Sequence, residues 1–272
     1  MNPPKTTHHP AIDPARPATG IRVLGRHDPI FVPLRPRARP RTRTRIALTA
    51  RRWHTWASFV LPDASLAVYA ARDPLGLAAL GDLPLAGATT MDVPYYAFFT
   101  PAQRERSLHR TRWVHAASLD AFDDRGLACL PLVKGLHPKD IDTQLAALED
   151  LGVHRAAYYA RELLLEHRPE PIDAFLRLSH RRRIHPTLLG ATRPRPIHRG
   201  PHDLVSSRHF VAARRGLRIL PDGRTRPATE PFPSRRLGAW VRPHDADALA
   251  AHNLLTLRAG HATHTPLHAF AA

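Results

Sequence analysis

Between Leu127 and Leu189 the sequence alternates short apolar runs with helical periodicity, and this alternation constrains the fold more than any other feature. Leu127 to Val133 reads as a short buried strand. Pro138 opens a helix whose Ile141, Leu145, Leu148 and Leu151 recur at helical intervals and so share one face. Gly152 follows where a left-handed cap is needed. Val153 to Ala160 is the next strand, Pro171 opens a helix with Ile172, Phe175 and Leu176 inward, and Ile184 to Leu189 is the strand after it. Two successive crossovers of this kind predict parallel strands covered by helices. Arg208–Leu220 reads as a further strand, in part helical, and Asp245–Leu257 as a helix. Phe59–Val60, Ser65–Tyr69 and Leu83–Met91 are weaker strand candidates.

The expected class is therefore α/β. A (β/α)8 TIM-type barrel suits the chain better than a doubly wound sheet, because neither a Gly-x-Gly-x-x-Gly nor a Walker pattern follows a first strand. At 272 residues the barrel would be trimmed or irregular. The first 20 residues are Pro-rich and lack periodicity, which predicts a loose lead-in. The domain reading is a basic Pro/Arg-rich, partly irregular arm over 1–45 and a single barrel-like domain over 46–272.

Charge points to the partner. The chain has 40 basic and 23 acidic residues, a formal net charge of +17, and a pI near 11.4. Lys5, Lys134 and Lys139 are its only lysines; the rest of the basic residues are arginine. GC-rich coding enriches Arg, Ala, Pro and Gly together, but does not by itself leave such a surplus of positive charge. A polyanion, most often nucleic acid, is the partner this favours. Residues 1–60 hold 12 basic and 2 acidic groups, 61–150 hold 8 and 12, and 151–272 hold 20 and 9, so both flanks are basic.

Arg35, Arg37, Arg39, Arg41, Arg43 and Arg45 alternate with smaller residues, and an extended chain would put all six guanidiniums on one side. That is either a solvated edge or an arm tracking phosphates through paired Arg forks. Trp53 and Trp56 follow, suited to stacking on bases or to core packing. Arg181, Arg182 and Arg183 are either a solvated helix end or a second phosphate patch.

No apolar run approaches a membrane span, and Met1-Asn2-Pro3-Pro4 lacks the apolar stretch of a secretory leader, so the expectation is a cytoplasmic protein without a membrane partner. The single cysteine, Cys129, leaves no internal disulfide and no cysteine-based zinc cluster, and sits in an apolar strand as a small hydrophobe. His261, His264 and His268 are spaced like metal ligands, but Pro266 interrupts any helix there. Asp123-Asp124 with Asp140 and Asp142 could bind a hard cation, but carboxylates near helix N-termini also complement the macrodipole. The expectation is no metal and no cofactor.

Barrel chemistry gathers after the C-terminal ends of strands. Asp92, Lys134-Gly135, Gly190 and the stretch Asp203–Ser207 are the candidates. Pro131-Leu132-Val133-Lys134-Gly135, followed by a helix closing Leu148-Glu149-Asp150-Leu151-Gly152-Val153, resembles the tRNA-guanine transglycosylases and their DNA-modifying relatives. His185-Pro186-Thr187-Leu188-Leu189-Gly190, Asp203-Leu204-Val205-Ser206-Ser207 with Ala212-Ala213-Arg214-Arg215-Gly216, and Ala251-His252-Asn253-Leu254 match later family segments in order. Asp92, with Phe98 and Phe99 beyond it, answers the family's Asp-Ser-Gly-Gly-Phe. The resemblance spans about residues 85–258.

It implies a transglycosylase that exchanges guanine for a 7-deazaguanine base in tRNA or DNA through a ribosyl-aspartate intermediate. Asp203 would be the nucleophile and Asp92 the general acid/base, while Lys134, Gly135, Tyr158, Tyr159 and Gly190 would surround the base. The departures are chemical. Val205-Ser206-Ser207 stands where the nucleophile belongs, Asp92 lacks the Ser-Gly-Gly, Tyr158-Tyr159-Ala160 replaces the base-binding Gly-Gly, and the zinc cysteines are missing. The alternative is a catalytically degenerate barrel that binds nucleic acid, as a subunit of a homo-oligomer or the partner of an active relative. If Asp92, Gly135, Gly190 and Asp203 are to serve one active site, they must converge at one end of the strands.

Overall fold

The computed structural model describes residues 7–11, 24, 28–34, 39–59, 72–191 and 200–260. Its strands β1 (Thr7–Pro10), β2 (Ile30–Pro33), β3 (Thr55–Ser58), β4 (Gly87–Thr89), β5 (Ala128–Leu130), β6 (Leu132–Val133), β7 (Arg155–Tyr159), β8 (His185–Leu189) and β9 (Asp203–Ser206) form two sheets. One runs β2-β3-β4-β5 and the other β1-β9-β8-β7-β6, and every pairing is parallel. The α/β class follows directly. The ladders among the described residues do not close into one barrel sheet.

Two joints connect the sheets. At Pro131 the chain leaves β5 and enters β6, because proline has no N–H to continue the ladder; its carbonyl instead accepts from the Ala157 amide at 2.8 Å. At the other edge Ala11, just past β1, makes an isolated parallel bridge with Phe31 of β2.

Helices cover the outer faces. Pro40–Ala50, Pro101–Asp123 and Pro138–Asp150 each begin with proline, and Glu170–Arg181 has Pro171 in its first turn. The Pro101–Asp123 helix is further fixed by a capping box, in which the Gln103 amide donates to Thr100 Oγ1 and the Thr100 amide donates to Gln103 Oε1. Gly152 ends the Pro138–Asp150 helix at φ +70°, with the Val153 amide returning to the Leu148 carbonyl at 2.9 Å. The same closure after Arg181 uses Arg183 at φ +57°, where a side chain costs about 1 kcal/mol that glycine would not.

Period-two alternation divides the core. Ala156, Tyr158, Leu188 and Leu204 pack outward against Ile141, Leu145 and Phe175 of the helices. Ala157, Leu189 and Val205 face the other way and meet Phe31, Trp56 and Leu130 of the other sheet. A cavity of only about 10 Å³ remains between Phe31, Trp56 and Leu130 on one side and His9, Arg155 and Thr187 on the other, room for one water. Trp56 is thus a core residue stacked on Phe31 at 6.0 Å, and half-buried Trp53 packs on the core of the first sheet.

Four expectations change. The first 20 residues are not simply a lead-in: Thr7–Pro10 is a largely buried edge strand paired with Asp203–Ser206, so buried strands lie inside the 1–45 segment. The run Arg39, Arg41, Arg43 and Arg45 is not extended; Pro40 starts a helix, in which residues two apart point nearly opposite ways. Arg35 and Arg37 lie outside the described residues, as do Ser65–Tyr69, His261, His264 and His268. Arg208–Leu220 is a helix over Arg208–Arg214, then β10 (Leu217–Ile219), which pairs with β11 (Thr225–Pro227). A second hairpin, β12 (Phe232–Ser234) with β13 (Ala239–Val241), precedes the Ala246–Gly260 helix. The longest helix, Pro101–Asp123, escaped the periodicity because its inward face is mostly Ser107, Thr111, His115 and Ser118 rather than large apolar residues.

Candidate functional site

At the C-terminal ends of the strands, hydroxyls tie neighbours together before the chain turns outward. Thr89 Oγ1 accepts from the Phe59 amide and Thr90 Oγ1 from the Leu132 amide, each at 2.9 Å. Asp92 follows β4 by three residues, and its carboxylate pairs with the ammonium of Lys134, directly after β6. Both side chains are mostly buried. Lys134 is held from its backbone by the buried Gln144: the Lys134 amide donates to Oε1 at 2.9 Å and Nε2 donates to the Lys134 carbonyl. Gln144 also donates to the Asp140 carbonyl at 3.0 Å.

Gly135 continues this turn at φ +133°. A Cβ there would lie 3.0 Å from that of Asp140, so the helix start leaves no room for a side chain. The Tyr95 hydroxyl donates to Asp140 Oδ2 at 2.5 Å; burial first, and then this carboxylate, push the phenol up to about 12, so it is a fixed donor. Gly190, after β8, packs against Arg161, with space for a Cβ only 2.7 Å from the Arg161 Cβ. Asp92, Lys134, Gly135 and Gly190 therefore share one end. Beside Asp92 the loop presents Tyr96, Phe98 and Phe99 packed on one another, with centroids 5.1–5.5 Å apart.

Asp203 does not join them. It is the first residue of β9, so it lies at the N-terminal end of the parallel strands. Its carboxylate accepts from Arg155 at 2.8 Å and lies 3.1 Å from His185 Nε2 and 3.4 Å from His9 Nε2. Arg155 and His185 are themselves the first residues of β7 and β8. Burial alone would raise this acid, but hydrogen bonds and charge from His185 and His9 outweigh it and hold Asp203 well below the usual carboxylate range. The two aspartates expected to share one reaction are at opposite ends. At the C-terminal end of β9 stand Ser206 and Ser207, and Ser206 Oγ is occupied by His8 Nε2 at 3.0 Å.

The remaining expected residues separate as well. Tyr158 points into the helix layer, stacked on Phe175 at 5.1 Å with its hydroxyl donating to the Gly135 carbonyl at 2.6 Å; burial first raises its phenol, and it does not face a base pocket. Tyr159, half-buried at the end of β7, packs on the cluster between the sheets. Arg182 is engaged by Asp142 at 2.9 Å and Glu149 at 2.7 Å, which hydrogen-bond it and raise its pKa, while Arg181 and Arg183 are exposed. Arg43 turns inward to cap the Ala79 carbonyl at 2.6 Å. Arg39, Arg41 and Arg45 border one shallow depression with Pro40 and Thr42. Burial raises the Cys129 thiol to about 12, which leaves it inert.

Gln144 is a buried polar residue that sequence reading passed over, and Asn253 entered it only as part of the Ala251-His252-Asn253-Leu254 stretch. Gln144 sits among the apolar helix positions, where a buried amide is a signal in itself. Asn253 accepts from the Ile219 amide at 2.7 Å and donates to the Leu217 and His209 carbonyls. No cluster of three His, Cys, Asp or Glu side chains among the described residues could hold a metal. No helix among them is long and apolar enough to cross a membrane. Neither a protein-family model nor a curated protein sequence matches the chain.

Proposed function

We propose that this chain is a nucleic-acid-binding relative of the guanine transglycosylases in which the base-exchange chemistry is not assembled. The observation that carries the reading is the separation of Asp92 from Asp203. Exchange requires one carboxylate to attack the ribose carbon while another group manages the proton on the leaving base, both within bonding reach of one nucleoside. Here one acid is neutralised by Lys134 at the C-terminal end, and the other is buried among Arg155, His185 and His9 at the N-terminal end. Serine at the end of β9 is a poor substitute, since Ser206 and the His8 that meets its hydroxyl are both buried in the core.

The architecture proposed with it is a (β/α)8-type barrel in which the two parallel sheets are arcs of one wall. The Ala11–Phe31 bridge, the passage at Pro131, and an interior cluster drawn from both sheets support this. With β5 and β6 counted as one broken strand, the wall has eight. The net charge of +17, carried almost entirely by arginine, supports a polyanionic partner.

The test pairs two assays on the full chain. Incubation with tRNA or DNA and labelled guanine should give no incorporation, while both binding partners should be retained with an affinity that falls steeply with salt. Guanine incorporation that disappears in Asp92→Asn and Asp203→Asn would restore the transglycosylase reading.

A further inference from the structure

We infer that the two hairpins inserted between the Arg208–Arg214 helix and the Ala246–Gly260 helix form a binding surface for single-stranded nucleic acid, with Trp240 as its base-stacking platform. This rests on the nucleic-acid reading above and assigns it a place. Residues 208–244 carry nine arginines against two acids, Asp222 and Glu230. Trp240 on β13 is 68% exposed, whereas its neighbour Val241 is fully buried. Pro233 lies directly across the hairpin from Trp240 and is exposed with it, so one flat apolar face looks outward.

The presentation is rigid. Phe232 and Val241 pack inward on Leu249 and Ala250, Ser234 Oγ lies 2.8 Å from His252 Nδ1, and Asn253 clasps β10 from the same helix. A tryptophan exposed on an anchored strand has not simply frayed from the core. Arg235 and Arg236 in the hairpin turn and Arg242 beyond β13 flank the ring, all exposed. Such alternation of cation and aromatic face matches a strand that offers a phosphate and an unstacked base in turn.

A second observation points the same way. In the other hairpin Arg218 and Arg226 are directly opposed, a like-charge pair that weakens an isolated hairpin. The Arg218 guanidinium lies over the Phe232 ring at 4.9 Å, and its Nε is buried with no hydrogen-bond partner among the described residues. An anion between the two arginines would relieve their mutual repulsion. Duplexes offer phosphates but no free base faces, so the exposed ring selects single strands.

The experiment is an anisotropy titration of the full chain with a labelled 20-nucleotide DNA strand, the RNA of the same sequence, and the corresponding duplexes. The single strands should bind more tightly than the duplexes and quench tryptophan fluorescence. Trp240→Ala should weaken single-strand binding about tenfold and remove most of the quenching, while Trp240→Phe retains most of the affinity. Arg224→Gln, Arg226→Gln, Arg235→Gln and Arg242→Gln together should lower the slope of log affinity against log salt by about 2 to 3. These side chains are exposed, so thermal melts of the variants should match the parent. Salt-sensitive binding unchanged by either set would overturn the hairpin assignment and leave the nucleic-acid reading standing. Equal binding of duplex and single strand would overturn the stacking role. Absence of binding to all four probes would overturn both readings.

Discussion

The two ends of the parallel strands carry similar residue types and hold them in opposite ways. At the N-terminal end one carboxylate, Asp203, is surrounded by Arg155, His185 and His9, all projecting from strands or strand starts. At the C-terminal end the acids are two, Asp92 and Asp140, each with a single side-chain partner, and all four residues sit on turns, loops or a helix start. Side chains on neighbouring strands are fixed by ladder register, so the first cluster is a rigid knot beside a cavity of about 10 Å³. The second is built from connections, the part of an α/β fold that varies without disturbing the core. A carboxylate in the knot is held by three strand residues; one at the loop end is held by a single partner.

The largest expected effect tests the knot. Asp203→Ala leaves Arg155 and two histidines without their common acceptor and should cost about 3 kcal/mol in urea denaturation at pH 7. The pH dependence carries a definite sign. Asp203 is held below its unfolded pKa of 3.8, so its contribution is complete above that value and is lost as pH falls below it. Asp203→Asn should therefore differ most from the parent at neutral pH and converge on it under strong acid. A constant difference down to pH 2 would mean that the cluster acts by shape and not by charge.

The next largest effect tests whether the loop end has its own anchor. Gln144→Leu leaves the amide and carbonyl of Lys134 unsatisfied and should cost about 2 kcal/mol, even though no charge is removed. A loss below about 0.5 kcal/mol would show that water replaces the clasp and that this end is looser than drawn. The smallest effect belongs to Tyr95→Phe, which deletes one donor to Asp140 and should cost about 1 kcal/mol. If it matched Asp203→Ala, the contrast between the two ends would be lost.

Much of the second sheet was legible because its signals are local. Helix starts at Pro138 and Pro171, the cap at Gly152, and apolar runs ending at Val133 and Leu189 each act within a few residues. The edge strand of that same sheet was harder to read, since Thr7–Pro10 pairs with Asp203–Ser206 almost 200 residues away and has no period of its own. The candidate site divided for a related reason. The turns after β4, β6 and β8 were readable as strand ends, whereas Asp203-Leu204-Val205-Ser206 looks alike whether it ends a strand or begins one.

By itself, then, the sequence determined the parallel crossovers, the outward helices and an arginine-rich surface, because propensity, capping and charge are properties of short segments. Only the tertiary structure decided that Arg43 turns inward to Ala79, that Tyr158 packs on Phe175, and that Asp203 lies at the opposite strand end from Asp92. Those outcomes depend on register and on which segments meet across the core. Neither is encoded by any one segment, since the free energy that selects them comes from burying both partners together.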